Sequence, residues 1–537
     1  MICKFKGFLS AVFFICTAAM AFGQQTQQSQ QTQQTQESQE TPQTQFYDDS
    51  LTIVESVRPH DLNPQTTSYS TDAQILSGLY EGLFAYDPVN LSPTYAIAVD
   101  YRISRDKKRW TFTINPKACF SNGEKITAAS VRESWLSLLA NPEAPYASLL
   151  DVVTGAAEYR RGLVSADQVG IYANSEETLS LHLTQPANYL PKLLCHSAFS
   201  VIHRSPSVFS GAFYLDDMTE VSYKMKKNPY YWDKDNVKLN EITFYQSDDA
   251  ADNAFYFNTG LADWITAGLD TSKLLDTKAF TYNAEFATCY FFFKENSQIW
   301  NKHEFREALF EAIPWEELRK DYYVAAKTFV YPLAGYPDVN GFSYTDSAEA
   351  KKLMQEARQK YNIPQDKVLQ LIMEIPENSF SNEKLTALSD AWAPLGVELL
   401  IRQKKNYEYF SGVKSSDAQL FVYTWIGDFA DPLAFLELFR TGSTLNDSLW
   451  TNKDFDKLID MAAQSDEDER YRLLAQAETL LLDDCIVIPI HHPVIYNVIN
   501  KNAVGGWSEN AFDYHPLKYL YKKVEKSTVP NVVLGNR

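Results

Sequence analysis

Of the eight histidines in the 537-residue chain, only His491 and His492 are adjacent. Neighbours on a strand project to opposite faces, so the pair makes a poor shared metal site and fits structural or surface roles better. Nucleophilic and nucleotide chemistry leave no signature: the chain has no HExxH, no GxSxG elbow, no Walker loop and no GxGxxG. Cys119, Cys195, Cys289 and Cys485 lie far apart and form no CxxC pair. In an oxidising compartment they allow three full pairings, and buried free thiols fit equally well. Carboxylates are abundant, and a glycosidase-like pair needs only to meet in space. No residue is assigned a catalytic role, and neither a metal nor a cofactor is expected.

Basic residues number 49 against 68 acidic ones, a formal charge of −19. With no basic block, that balance argues against nucleic acid as a partner. Lys4 and Lys6 precede an apolar run from Phe8 to Met20 and the small-residue site Ala21-Phe22-Gly23. Residues 1–23 therefore read as a signal peptide cleaved after Gly23, with a run too short for a span of roughly 20 apolar residues. A lipid anchor would use Cys16, but Ile15 is bulky for the position before an acylated cysteine. The expected location is periplasmic or cell-envelope-associated. Residues 24–45 are almost entirely Gln, Thr and Ser, with one proline and little to bury, and read as a disordered spacer, either tether or inert leader.

The length suggests two or three domains in the remainder. Trp110, Phe112 and Ile114 alternate as on a half-buried strand, as do Leu179, Leu181 and Leu183. A turn at Ser121-Asn122-Gly123 leads to Thr127, an N-cap candidate, and then to Val131, Trp135, Leu138 and Leu139 at helical spacing. After about Phe286, apolar runs at Leu369 to Met373, Val397 to Ile401 and Leu420 to Trp425 alternate with helical stretches. That succession predicts an α/β domain with a largely parallel sheet. Phe455, Leu458, Ile459 and Ala462, and then Tyr471, Leu474, Ala475, Leu481 and Leu482, read as the core faces of two amphipathic helices.

Consecutive segments carry a resemblance. Asp61-Leu62-Asn63-Pro64, Leu79-Tyr80-Glu81-Gly82-Leu83, Trp110 to Ile114 and Cys119 to Gly123 come first. Asn228-Pro229-Tyr230-Tyr231-Trp232, Phe305 to Leu309 and Trp425 to Pro432 follow in order. Together they resemble extracellular solute-binding protein family 5, which includes the periplasmic oligopeptide- and dipeptide-binding proteins of ABC transporters, and Ala144 to Ser148 and Leu194 to Ser200 resemble its oligopeptide branch in particular. The resemblance implies an α/β, two-lobed periplasmic-binding-protein fold with an additional inserted α+β domain. Lobe I would comprise residues 46–75, 190–285 and 488–524, with the extra domain at 76–189 and lobe II at 286–487.

The same resemblance implies a monomer that is not an enzyme and captures short peptides for the permease and ATPase subunits of a transporter. Asp428 matches the carboxylate that meets the ligand's ammonium group. Tyr423, Thr424, Trp425 and Gly427 would lie along the peptide, mostly through backbone groups, with Ser68, Tyr69, Ser70 and Tyr146 on the opposite side. Leu420, Phe421 and Val422 occupy a stretch where some binders carry an arginine for the peptide carboxylate, and Ile426 stands where some carry the disulfide partner of Cys289. Competing readings are a same-fold receptor for a nickel complex, sugar or other solute, a surface adhesion or sensing protein, and a hydrolase without signature. Intact-mass measurement of the exported protein should give a chain beginning at Gln24; retention of residues 1–23, or a lipid mass on Cys16, would contradict the assignment.

Overall fold

The computed structural model describes residues 49–67, 70–427, 429 and 431–523. The expected signal peptide, Cys16 and the Gln-rich spacer lie outside them. Among the described residues no helix is long and apolar enough to cross a membrane.

Three sheets organise the chain. A seven-stranded sheet has Ser50–Glu55 near its middle, parallel to both neighbours, Glu241–Gln246 and Trp264–Ile265. Leu51 and Ile53 face one core with Ile75, Leu79 and Trp264, while Val54 faces another with Phe257 and Ile265. Burial on both faces explains why apolar Ile53 and Val54 stand side by side in this strand. Phe280–Ala284 and Val494–Ile499 pair antiparallel at one edge of this sheet.

A four-stranded antiparallel sheet is built from Ala98–Ile103, Arg109–Ile114, Ile171–Ala173 and Thr178–His182. Trp110, Phe112 and Ile114 point inward and are almost completely buried. The helix Ala128–Ala140 covers them with Val131, Trp135, Leu138 and Leu139, and begins in a capping box between Thr127 and Ser130. The box satisfies backbone donors that the first helical turn leaves unpaired.

The third sheet has six strands, in the order Val324–Ala325, Val487–His492, Ala287–Phe293, Leu420–Ile426, Leu369–Pro376 and Val397–Lys404. It is mixed rather than largely parallel. Leu369–Pro376 is parallel to both Val397–Lys404 and Leu420–Ile426, but the other pairings are antiparallel. Parallel pairing needs a crossover. Helices lie between the three parallel strands, whereas Ala287–Phe293 arrives directly from Phe280–Ala284 of the seven-stranded sheet and Val487–His492 leads directly into that sheet's Val494–Ile499. The helices Lys453–Gln464 and Glu467–Asp483 bury Phe455, Ile459, Leu474, Leu481 and Leu482 as their spacing predicts. All four described cysteines are free of disulfides.

Two of the family-like segments meet in a buried polar clamp. Glu81 accepts hydrogen bonds from Tyr231 Oη at 2.5 Å and Trp232 Nε1 at 2.7 Å, and Lys518 Nζ lies 2.6 Å from the same carboxylate. Lys518 and Glu81 expose only 8% and 6% of their side chains, so each charge depends on the other. Lys518→Met would strand the Glu81 carboxylate, and urea unfolding should show a loss of about 3–5 kcal/mol; a stability unchanged within error would contradict this role.

A candidate ligand-binding cavity

The strand Leu420–Ile426 is paired along its whole length with Ala287–Phe293 but with Leu369–Pro376 only at Leu420 and Phe421. Beyond Phe421 no strand among the described residues pairs with that second side. The hydroxyl of Tyr409, fully buried, donates to Val422 O at 2.7 Å and accepts from Val422 N at 2.9 Å. Backbone groups alternate sides along a strand, so Thr424 and Ile426 turn their N–H and C=O the same way as Val422. Gly427 N donates to Phe286 O at 2.8 Å, which fixes the opposite parity for Tyr423, Trp425 and Gly427. Sequence reading grouped these residues together; the geometry divides them, and adds Ile426 to the open side.

The open edge borders a cavity of about 550 Å³, whose walls include Tyr423, Thr424, Trp425, Ile426 and Gly427. Tyr146 joins them, with its ring 6.4 Å from that of Trp425. The indole of Trp425 is held by donation to Ala434 O at 2.8 Å. Gly427 has no room for a side chain: a Cβ would sit 2.2 Å from the Phe286 ring. Asp428, Ser68 and Tyr69 lie outside the described residues. Ser70 begins the helix Ser70–Leu79, and nearby Thr66, Thr67 and Ala73 line the cavity.

Further wall residues escaped the sequence reading, among them Glu143, His196, Lys414, Asp447, Asp513 and Tyr514. Thr66 and Thr67 could have been found by extending the segment upstream from Ser68. Asp447 gave no signal, because it belongs to a loop without apolar periodicity. The wall is brought together by contacts between distant segments: Thr444 Oγ1 donates to Pro145 O at 2.5 Å, and Arg160 donates to Gly442 O at 3.2 Å. His491 stacks on Tyr322, whereas His492 bonds to Ala287 O and contacts Thr288. Neither histidine lines the cavity.

Burial governs the ionisable groups. It pushes His196 down to about 4, so that imidazole is neutral at pH 7. It raises the Asp447 carboxyl, only partly offset by the hydrogen bond from Tyr423. Behind Thr67, whose hydroxyl donates to Asp72 at 2.5 Å, the His60 ring is held by two carboxylates. Its Nδ1 is bonded to Asp72 at 2.6 Å, while its Nε2 makes a close charge contact with Glu55, also 2.6 Å, rather than an aligned bond. Burial alone would lower the His60 pKa, but the partners Asp72 and Glu55 outweigh it and raise the value.

A histidine raised on folding contributes stability that is fully present below its unfolded value, roughly 6.5, and lost as pH rises through its higher folded value. Urea midpoints should therefore fall between pH 6 and pH 9, and His60→Gln should flatten that fall. An identical pH profile in the variant would show that His60 is not the group responsible.

A model of the bacterial extracellular solute-binding proteins, family 5 Middle, matches residues 92–447, more than half the chain. The dipeptide-binding protein DppE of Bacillus subtilis (strain 168) is 26% identical over 499 residues, covering 86% of this chain and 90% of its own. The probable deoxycholate-binding periplasmic protein YgiS of Escherichia coli (strain K12) is 26% identical over 501 residues, covering 87% and 92%. A crystal structure of Haemophilus influenzae OppA in complex with RPPGFSPFR matches with a TM-score of 0.76 at 20% identity, covering 88% of this chain and 99% of that one. The fold is thus the α/β fold of that binding protein, as the resemblance implied. The chain belongs to the bacterial extracellular solute-binding proteins of family 5.

Proposed function

We propose that the chain is the binding component of a peptide ABC importer, capturing short peptides in the cavity beside Leu420–Ile426. The carrying observation is the open strand edge at Thr424 and Ile426. An extended peptide can hydrogen-bond there as an added strand, and main-chain recognition tolerates varied side chains. Trp425 and Tyr146 supply aromatic walls, and Asp428, adjoining Gly427, is assigned the ligand's ammonium group by resemblance. A charge-assisted bond of that kind is worth about 1.5–3 kcal/mol. The names of the relatives support a peptide ligand and an extracytoplasmic location.

In this reading two lobes close on the ligand, which favours the closed state by binding it more tightly. Lobe I is built on the seven-stranded sheet, with the four-stranded sheet as its insertion, and lobe II on the six-stranded one. In this reading the crossings would fall at Glu285–Phe286 and at Pro493, which would move the division read at 487/488 to a few residues later. Val487–His492 pairs with Ala287–Phe293, whereas Val494–Ile499 pairs with Phe280–Ala284. The loaded monomer would deliver its ligand to permease and ATPase subunits without chemical change.

One relative's name points to a bile acid, so a non-peptide solute is the second reading. Titration calorimetry with free and N-acetylated tripeptides separates the two. Free peptides should bind and acetylation should weaken them at least tenfold, about 1.4 kcal/mol. Equal affinity would remove the ammonium contact, and binding of deoxycholate with no response to peptides would favour the second reading.

A further inference from the structure

We propose that the Asp447 end of the cavity binds a cationic side chain, so that the preferred ligands are short peptides carrying lysine or arginine at one position. The inference rests on the peptide reading above and names its substrate class.

Asp447 Oδ2 accepts a hydrogen bond from Tyr423 Oη at 2.8 Å. No hydrogen bond or ion pair to its Oδ1 exists among the described residues. Taking a carboxylate out of water is costly unless a charge or donors replace the water. Tyr423 supplies one donor and leaves the other oxygen to the cavity. Burial raises the Asp447 pKa, the direction expected of a carboxylate short of partners.

The nearby cations Lys294 and Lys414 attract it from a distance without pairing with it among the described residues. Lys294 donates to the backbone carbonyls of Val413, Lys414 and Ser416 at 2.8–3.1 Å, which commits its three N–H groups. Lys414 is exposed and makes no ion pair with Asp447 among the described residues. It contributes only a longer-range attraction.

The other acidic wall residues are placed differently. Glu143 is exposed, and Asp513 already accepts from Asn497 Nδ2 at 2.8 Å and contacts His515 Nε2 at 3.1 Å. The cavity wall that includes Asp447 also carries apolar surface. Tyr423 and Phe410, whose rings lie 5.8 Å apart, and Leu445 line the same cavity. Such surfaces suit the methylene stem of a lysine or arginine, whose charged head can then reach the carboxylate. A neutral side chain of the same length would cover the same surfaces and leave Asp447 without a charged partner.

The test is calorimetric titration of alanine tripeptides and tetrapeptides in which each position in turn is lysine or norleucine, which has a similar aliphatic chain without the ammonium group. At one position lysine should bind at least tenfold more tightly than norleucine. Asp447→Asn should abolish that preference, and thermal unfolding with and without peptide checks that the variant folds. Lys414→Gln, which removes a competing positive charge, should enlarge the preference and serves if the first variant does not fold. Equal affinities at every position, or a preference that survives Asp447→Asn, would overturn the inference while leaving the peptide reading intact. No binding of any peptide would overturn both.

Discussion

The structure turns on one strand that is fully paired on one side and almost unpaired on the other. Leu420–Ile426 has its inner edge zipped to Ala287–Phe293 and, among the described residues, its outer edge paired with a strand only at Leu420 and Phe421. An open edge leaves N–H and C=O groups without a protein partner, so at exposed Thr424 and half-buried Ile426 water or a ligand must supply one. The chain covers the first exposed position with the Tyr409 hydroxyl and leaves the next two facing a cavity. That arrangement is stable when water or a ligand backbone completes the ladder, which is the basis for proposing an extended chain as the ligand.

Other polar elements hold the walls around this edge. Glu81, Tyr231, Trp232 and Lys518 tie together three segments distant in sequence. Arg58, His60, Asp72 and Thr67 connect the end of Ser50–Glu55 to the cavity wall. Both networks are buried, and a buried charge persists only where its partners are held in place. The segments that look most like the family are thus explained in different ways: Glu81 and Tyr231-Trp232 clamp the scaffold, while the run through Trp425 builds the cavity.

Much of this was legible in the chain. Alternation in Trp110 to Ile114 and the Thr127 cap marked a strand and helix because their signals are local, and the apolar runs after Phe286 marked three of the strands in the six-stranded sheet. Strand direction was misread, since the partners of Ala287–Phe293 lie more than a hundred residues away and local succession says nothing about them. The wall strand was visible as a β-branched, aromatic run, but which of its residues face the cavity follows only from pairing parity. Asp447, in a loop, and Lys414, in the short helical turn Val413–Ser415, were invisible for a related reason: such residues acquire a role from what folds beside them, and no periodicity announces it.

The central claim is that Thr424 and Ile426 offer their backbone to a ligand chain. Residue-resolved amide hydrogen exchange, with and without saturating short peptide, tests it most directly. The account predicts that Thr424 and Ile426 gain about tenfold or more in protection on binding, while Tyr423 and Trp425, already paired with the neighbouring strand, change far less. Peptide saturation with no added protection at Thr424 and Ile426, or with the same gain at all four residues, would contradict it.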